Sequence, residues 1–260
     1  MTRILNLDIC SIRKDVLLEQ PLKGILFTPN VDHLVRLQKD RAFYDAYKKA
    51  DWVICDSVIL QRMSLLLKDR IIESIPGSTF FHEFCDFHRH DENCRIFILG
   101  GKKGVAQLAL QNINERVGRE MVVEAHSPSF SFVEDKEESK RIVDMINDSN
   151  ATVLMVCATS PKQEIWIARY HEKLPHVCLF LALGATVDFE AGMVKRCPVY
   201  LQRLGIEWFW RFCHEPKRLF RRYFVDDPSF FWYFLQQLLG MYKNPFEPNE
   251  NHAQQCPIGA

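Results

Sequence analysis

The stretch TVLMVCATSPKQEIWIARYHEKLPHVCLFLAL, residues 152–183, decides the fold because two short apolar runs flank one segment of helical period. TVLMVC (152–157) and VCLFLAL (177–183) have the β-rich composition of buried strands, and the segment from Pro161 to about Glu172 predicts a helix between them. Two strands joined by a crossover helix pair in parallel. The stretch therefore predicts part of a parallel sheet.

The same alternation extends toward the N-terminus. Further strands are predicted at GILFT (24–28), WVIC (52–55), RIFIL (95–99) and MVVEA (121–125). Segments of helical period separate them, at about Val31 to Lys49, over GVAQLALQNINERV and over EESKRIVDMIND. Repeated crossovers predict a doubly wound, mainly parallel, Rossmann-like α/β sheet with helices on both faces. In such folds, ligands bind beyond the carboxyl ends of the strands.

The chain changes character after Gly192. Apolar positions at helical spacing predict three more helices: one from near Tyr200 to Cys213, one from Pro216 through Tyr223, and one over SFFWYFLQQLLG with Asp227 as its cap and Gly240 as its stop. We therefore predict an α/β domain over residues 1–194, a helical appendage over 195–243 and a disordered tail over 244–260.

Composition limits the partners and the compartment. The 33 basic and 33 acidic residues balance, so net charge gives no reason to expect nucleic acid as a partner. The nine cysteines include no CxxC pair and lie among apolar residues, which indicates reduced thiols. The N-terminus lacks the pattern of a secretory signal, and no run reaches the roughly 20 apolar residues needed to cross a bilayer. We expect a cytoplasmic protein without disulfides.

Basic and aromatic residues cluster in the predicted appendage, although the charges of the whole chain balance. Between Lys195 and Tyr223, eight basic residues stand against two acidic ones, and 13 of the 31 aromatic residues lie between Tyr200 and Phe234. This composition favours an anionic membrane surface as a partner. The alternative is an ordinary amphipathic cap with solvated arginines. The candidates for membrane or inter-helix contact are Trp208, Trp210, Phe230, Phe231 and Trp232.

Polar residues follow the first two predicted strands. Thr28 and Asn30 come after GILF, and Asp56 comes directly after WVIC. A carboxylate at the position of Asp56 is well placed to be a general base, because partial burial can raise the pKa of a carboxyl group and its neighbours can orient it. Asn30 and Asp56 could instead simply cap the helices that follow them.

Two later strand ends supply further candidates. Gly100 and Gly101 open the turn GGKKG, whose amides could meet a phosphate at a helix N-terminus, although the pattern is neither GxGxxG nor GxxxxGK[ST]. Gln163 and Glu164 lie in the first turn of the helix after TVLMVC. A glutamate there also interacts favourably with the helix dipole, whatever the function.

Two observations bear on metals. The segment FHEFCDFHRHDENC (81–94) is rich in histidine and cysteine, but the spacing of these residues fits no standard zinc module. Its pattern predicts an amphipathic helix running into a polar loop. No two aspartates are separated by one residue, which excludes the DxD element that holds a cation on a diphosphate. We expect no metal and no other cofactor, and arginines as the counter-charge for any diphosphate.

Seven motifs occur in this order: TPNVDH, ADWVICDS, IPGS, IFILGG, SPKQEIW, ALGATVDFEAG followed by KRCP, and GIEWFWRFCHEPKRLFRRY. From about Gly24 to Tyr223 they resemble the WecG/TagA/CpsF family of bacterial glycosyltransferases. The last motif is the most specific, because it combines Arg211, Arg218 and Arg221 with EW before them and EP between them.

The resemblance implies an enzyme at the inner face of the membrane. It would transfer N-acetylmannosamine, its uronic acid or glucose, with inversion, from a UDP-sugar to a polyprenyl-diphosphate-linked acceptor. The resemblance implies that Asp56 is the catalytic base, and we count Thr28 with it as a catalytic candidate. The predicted substrate-binding residues are Asn30, Gly100, Gly101, Gln163, Glu164, Asp188, Arg211, Arg218 and Arg221. Self-association through apolar faces stays open.

The sequence departs from the family pattern at three points. Ser57 stands where the family usually has glycine, Ser74 stands where it usually has arginine, and the turn before PKQE is Cys157-Ala158-Thr159-Ser160. Serine cannot replace a guanidinium on a phosphate or carboxylate. The departures leave the donor sugar open, and with it the alternative of a non-catalytic sugar-nucleotide-binding partner in a polysaccharide assembly complex.

Overall fold

A computed structural model describes residues 1–194, 197, 207–214 and 216–246, apart from the side chains of residues 207, 208, 211, 214 and 218. Its main sheet is parallel throughout, with the strand order β4-β3-β8-β7-β5-β6. These strands are β3 (Gly24–Phe27), β4 (Trp52–Val53), β5 (Ile96–Gly100), β6 (Val122–His126), β7 (Val153–Cys157) and β8 (Leu179–Ala182). Residues 152–183 supply β7 and β8 at the middle of the sheet, where Val153 pairs with Leu179.

The helices connect and cover these strands. Before β8 they are α1 (Lys14–Glu19), α2 (Val31–Arg36), α3 (Arg41–Tyr47), α4 (Val58–Ser64), α5 (Gly77–Phe87), α6 (Val105–Val117), α7 (Lys136–Asp148) and α8 (Lys162–Tyr170), the last running into a 3₁₀ turn (His171–Lys173). After β8 come α9 (Thr186–Glu190), α10 (Glu207–His214), α11 (Pro216–Arg221), a π-helical turn (Arg222–Asp226) and α12 (Pro228–Leu238).

Side chains alternate between the two faces of each strand and build two cores. On β7, Leu154 and Val156 pack in the core that also holds α2, α3, α7, α8 and α12. Val153 and Met155 pack on the opposite face with α1, α5, α6 and α9. Helices on both faces of a parallel sheet confirm the predicted doubly wound α/β fold.

Two parts of the α/β domain differ from the prediction. An antiparallel hairpin of β1 (Thr2–Ile4) and β2 (Leu7–Ile9) precedes the main sheet, and its three-residue strands are too short to show a period. The single helix predicted from Val31 to Lys49 is two helices. Asp40 interrupts it, because its carboxylate accepts a hydrogen bond from Phe43 N at 3.0 Å and caps α3.

The last helix packs on the α/β domain. Phe230 and Phe234 are buried in the core on the α2 side. Gln237 joins α12 to the N-terminal hairpin, since its Oε1 accepts from Leu5 N at 2.8 Å and its Nε2 donates to Arg3 O at 2.9 Å. α12 is therefore fastened through both apolar and polar contacts.

Asp227 occupies the predicted N-cap position of α12 without its side-chain hydrogen bond, and the predicted stop is confirmed. Asp227 has helical backbone angles and makes no capping hydrogen bond, because the chain enters α12 directly from the π-helical turn. Gly240 has a positive φ of 69°, and Met241 N donates to Gln236 O at 2.8 Å, which closes the helix as a Schellman motif.

Other appendage predictions are tested only in part. The first helix is described from Glu207, and residues 200–206 lie outside the described residues. The second ends at Arg221, because the chain then changes to π-helical geometry. Residues 247–260 of the predicted tail also lie outside the description, whereas Asn244 Nδ2 donates to Tyr44 Oη at 3.0 Å and Phe246 packs on the Tyr44 ring.

Two findings concern membranes and cysteines. Within the described ranges, no helix combines the length and apolar character required to span a bilayer. The described cysteines are free thiols, and all but Cys178 and Cys213 are buried.

Candidate active site

The carboxyl ends of β3 and β4 bring Thr28, Asn30 and Asp56 to one edge of the sheet. The two strands pair in parallel, with Phe27 opposite Val53, and Asp56 N donates to Pro29 O at 3.0 Å. Thr28 is buried, and its hydroxyl points to Ala182 O of β8 at 3.4 Å. Asp56 is half-buried directly before α4. This edge, the β3–β4 side, therefore gathers a hydroxyl, an amide and a carboxylate.

Asn30 has two roles at this edge. Its Oδ1 accepts from His33 N at 3.3 Å, so the residue caps α2, as the alternative interpretation allowed. The same oxygen accepts from Arg222 Nη2 at 2.9 Å, across 192 residues of sequence. Two donors on Oδ1 fix the orientation of the carboxamide. Its Nδ2 makes no hydrogen bond within the described part of the chain and keeps donors for a ligand oxygen.

Arg222 was missed by sequence reasoning, which named its neighbour Arg221. The Arg221 side chain is 82% exposed and lies 3.9 Å from Asp226. No local signal separates two adjacent arginines in a basic run. Adjacent residues of a helical segment point in directions roughly 100° apart, so only one of the two faces Asn30. The residue that does so, Arg222, begins a π-helical turn, and such turns are frequent at functional sites.

A charged cluster surrounds the Arg222 contact. Asp32 is buried, with Oδ2 at 3.0 Å from Arg36 Nε and 3.7 Å from Arg222 Nη2. Burial raises the pKa of Asp227 to about 6, and the charge of Arg222 opposes the shift. Arg222 Nε and Asp227 Oδ1 are buried and make no hydrogen bond to any described residue. The cluster is thus only partly satisfied, which costs free energy.

Behind Asn30 lies a neutral pair. His33 Nδ1 is 2.7 Å from Tyr47 Oη, and burial lowers the pKa of His33 to about 3, so the imidazole is uncharged at neutral pH. Burial raises the pKa of Tyr47, and the carboxylates of Glu164, Asp56 and Asp32 raise it further. Tyr47 is therefore a neutral phenol near these three carboxylates.

At the ends of β5, β7 and β8, here called the β5–β7–β8 side, the candidate residues are engaged in contacts within the domain. A Cβ atom at Gly100 would overlap the carbonyl oxygen of Cys157, so the close approach of β7 requires glycine there. Gly101 N donates to that same carbonyl oxygen at 3.2 Å. Close backbone packing accounts for Gly100, a positive φ of 72° accounts for Gly101, and the amide of Gly101 is already bonded.

Gln163 ties two strand-end loops together. Its Oε1 accepts from Ala158 N after β7 at 3.2 Å and from Gly184 N after β8 at 2.9 Å. Its Nε2 donates to Glu164 Oε1 at 2.8 Å. Glu164 is buried, which raises its pKa to about 7, and its Oε2 makes no hydrogen bond to a described residue. Both residues face the protein interior.

The other candidates lie beyond these two groups. Asp188 is half-buried in the first turn of α9, and its carbonyl oxygen accepts from Met193 N at 2.9 Å. Arg211 and Arg218 belong to α10 and α11, but their side chains lie outside the described residues, as does that of Trp208.

Two of the departures from the family pattern have different surroundings. Ser57 caps α4, since its Oγ accepts from Leu60 N at 3.3 Å, a bond that glycine cannot make. Ser74 lies beside the end of β4, where Ile75 N donates to Cys55 O at 2.7 Å. The Ser74 hydroxyl is buried and makes no hydrogen bond within the described residues.

The histidine-rich segment lies mostly on α5. His82 Nδ1 is 3.1 Å from Glu190 Oε1, and Arg116 Nη2 is 3.2 Å from Glu190 Oε2. These contacts join α5, α6 and α9 as a polar network centred on Glu190. Across the described ranges, no group of three histidine, cysteine, aspartate or glutamate side chains is placed to hold a metal ion.

A doubly wound parallel sheet with polar side chains at its carboxyl edge places the chain among the α/β proteins, a class in which ligands bind beyond the carboxyl ends of the strands. The sequence model of the glycosyl transferase WecG/TagA/CpsF family matches residues 2–244, so the chain belongs to this family of glycosyltransferases. The match extends beyond the motifs to the N-terminal hairpin and to α12.

One curated relative is the N-acetylglucosaminyldiphosphoundecaprenol N-acetyl-beta-D-mannosaminyltransferase of Bacillus subtilis (strain 168). It is 26% identical to this chain over 201 residues, which cover 77% of this chain and 75% of the relative.

Proposed function

We propose that this protein transfers N-acetylmannosamine from a UDP-sugar to N-acetylglucosamine carried on a polyprenyl diphosphate, in the synthesis of a wall or surface polymer. The observation that carries the proposal is the relative whose name states this sugar and this acceptor, matched over 77% of the chain. The uronic acid of N-acetylmannosamine and glucose are the competing donor sugars, because Ser74 replaces the usual arginine.

Asp56 takes the proton from the attacking acceptor hydroxyl. The hydroxyl oxygen forms a bond to the anomeric carbon while the bond from that carbon to the diphosphate oxygen breaks. UDP leaves with the electron pair of the broken bond, and the single displacement inverts the anomeric configuration. The position of Asp56 beside Thr28 and Asn30 at the strand ends supports this role. Asn30 Nδ2 donates to a substrate oxygen.

The leaving diphosphate needs positive charge. Arg211, Arg218 and Arg221 supply it and make a divalent cation unnecessary, since preorganised cations stabilise charge that develops in the transition state. The exposed Arg221 side chain supports a role toward a ligand rather than in packing.

The appendage holds the protein at the inner face of the membrane. Phe220, Phe224, Phe231 and Trp232 are exposed large apolar side chains on α11, the π-helical turn and α12, which supports insertion at a lipid surface. Phe230, a sequence candidate for the same role, is buried and contributes to inter-helix packing instead.

The test is UDP release by the purified full chain with a short-chain N-acetylglucosamine-diphospholipid and each of the three UDP-sugars, with and without EDTA. We expect N-acetylmannosamine transfer that EDTA leaves unchanged, and mass and NMR spectra of an inverted product. A strict metal requirement would overturn the mechanism. Binding of UDP-sugars without turnover on any acceptor would favour the non-catalytic partner instead.

A further inference from the structure

The segment LLLKDRII, residues 65–72, follows α4 and is called the α4 loop here. Leu65, Leu66 and Ile72 are 56%, 62% and 59% exposed. Ile71 between them is buried, so the loop has an anchored side and an outward apolar side. Three large aliphatic side chains in water do not gain the favourable free energy of burial. An exposed apolar patch of this kind indicates a contact with a partner surface.

Hydrogen bonds hold the loop in this conformation. The hydroxyl of Ser64 accepts from Ile71 N at 2.9 Å and donates to Gln61 O at 2.6 Å. Gln61 Nε2 donates to Ile72 O at 3.0 Å. The apolar side chains are thus displayed by a fixed backbone.

A second attachment sets where the loop lies in the fold. Ser11 Oγ donates to Arg70 O at 2.6 Å and accepts from Ile72 N at 3.0 Å. Cys10, the residue before Ser11, pairs in parallel with Ile54. Ser11 is therefore level with Cys55, one residue before Asp56. The loop lies at the same edge of the sheet as the candidate base.

The charges of the loop favour lipid over protein as the covering surface. Lys68, Arg70 and the last-turn residue Arg62 of α4 are exposed, and Asp69 is the single acidic residue of the segment. Exposed basic side chains among aliphatic ones match anionic phospholipid, because cations meet the headgroup phosphates while aliphatic groups enter the acyl boundary.

We propose that the α4 loop is a membrane contact separate from the appendage, in which Leu65, Leu66 and Ile72 enter the lipid and Lys68 and Arg70 bind anionic headgroups. The role we assign to this contact, though not the contact itself, rests on the proposed function. An acceptor on a polyprenyl diphosphate stays at the bilayer surface, and a contact beside the strand-end site seats that site on the surface where the acceptor lies.

The test compares the full chain carrying Leu65→Ser, Leu66→Ser and Ile72→Ser with the wild type and with Phe87→Ser. Phe87 on α5 is also an exposed apolar residue, at 53%, and serves as the matched control. Binding is measured by sedimentation with vesicles of phosphatidylglycerol and phosphatidylcholine in equal parts, and with phosphatidylcholine alone. Thermal unfolding checks that each variant is folded.

We expect the triple variant to partition onto phosphatidylglycerol vesicles at least about tenfold more weakly, while Phe87→Ser binds like the wild type. Lys68→Glu with Arg70→Glu weakens binding only where phosphatidylglycerol is present. Turnover falls on a vesicle-embedded acceptor and is unchanged on a water-soluble one.

Wild-type vesicle binding by the triple variant would overturn the proposal. Unchanged vesicle binding with a loss of self-association in sedimentation velocity would assign the loop to an interface between copies of the chain. The vesicle measurements need no enzymatic activity, so they still test the membrane contact if the proposed reaction fails on every acceptor.

Discussion

On the β5–β7–β8 side of the strand ends, the side-chain oxygen of Gln163 accepts hydrogen bonds from two backbone N–H groups of its own domain. On the β3–β4 side, the side-chain oxygen of Asn30 accepts from one backbone N–H group and from Arg222 of the appendage. Two amide side chains at the same edge of one sheet thus have different roles. The first joins loops within the domain, and the second joins the domain to its C-terminal segment.

Buried polar atoms without a hydrogen bond to any described residue occur on both sides: Arg222 Nε and Asp227 Oδ1 around Asn30, and Glu164 Oε2 beside Gln163. Such atoms lower stability on either side. The two sides differ instead in what their amide side chains join and in the position of Asp56, the proposed base, which follows β4. We therefore propose that the β3–β4 side performs the chemistry and that the β5–β7–β8 side holds the loops in place.

The largest expected effect is that of Asp56→Asn. Loss of the proposed general base should lower turnover by about 10²–10⁴-fold, with the free energy of unfolding little changed. Single-turnover kinetics and urea unfolding of the same preparation measure both quantities. A variant with wild-type turnover would remove the assignment of chemistry to the β3–β4 side.

Gln163→Ala tests the other side. The change leaves Ala158 N and Gly184 N without their acceptor and should lower the free energy of unfolding by about 2 kcal/mol, since an unsatisfied buried group costs ~1–3 kcal/mol. Gln107→Ala is the control, because its side chain makes one exposed hydrogen bond, to Ala125 O. Unchanged stability with a raised KM for the donor would make Gln163 a substrate contact, as the family resemblance implies.

Arg222→Ala tests the link between the appendage and the site. Without the second donor on Asn30 Oδ1, the carboxamide can rotate, and turnover on a water-soluble acceptor should fall by about tenfold, since hydrogen bonds to charged groups contribute ~1.5–3 kcal/mol. Asn30→Ala combined with Arg222→Ala should cost no more than the larger single change. Additive losses in that double-mutant cycle would show that the two residues act separately. Lys39→Ala, which removes an exposed charge just after α2, should be neutral.

The smallest effect concerns the pH dependence of stability. Burial raises the pKa of Glu164 from 4.5 to about 7, so the folded protein binds this proton more tightly than the unfolded chain does. Its contribution to stability is complete below pH 4.5 and is lost as the pH rises through about 7. Glu164→Gln keeps an acceptor for Gln163 Nε2 and should flatten the stability profile in this window. Urea midpoints of both proteins at pH 5 and pH 8 measure the change. If stability depended on pH equally in the wild type and in Glu164→Gln, the Glu164 carboxyl would be more solvated than the structure indicates.

The sequence by itself determined the architecture. Runs such as TVLMVC and VCLFLAL, separated by helical periods, require a parallel sheet with helices on both faces, because buried strands and crossovers have few other arrangements. It also determined the edge at which polar candidates gather, since parallel strands end together. Gly240 predicted the end of the last helix correctly, because glycine adopts the positive φ of a helix stop without steric cost and this preference depends on one residue alone.

Only the tertiary structure decided which of those candidates are bonded within the protein. Gln163 and Asn30 follow similar strand ends, yet their partners lie up to 192 residues away in sequence and leave no local pattern. Likewise, Arg222 rather than Arg221 reaches Asn30 because of the way the π-helical turn packs against α2. Periodicity encodes which face of an element is buried, whereas the pairing of individual polar atoms depends on how distant elements pack.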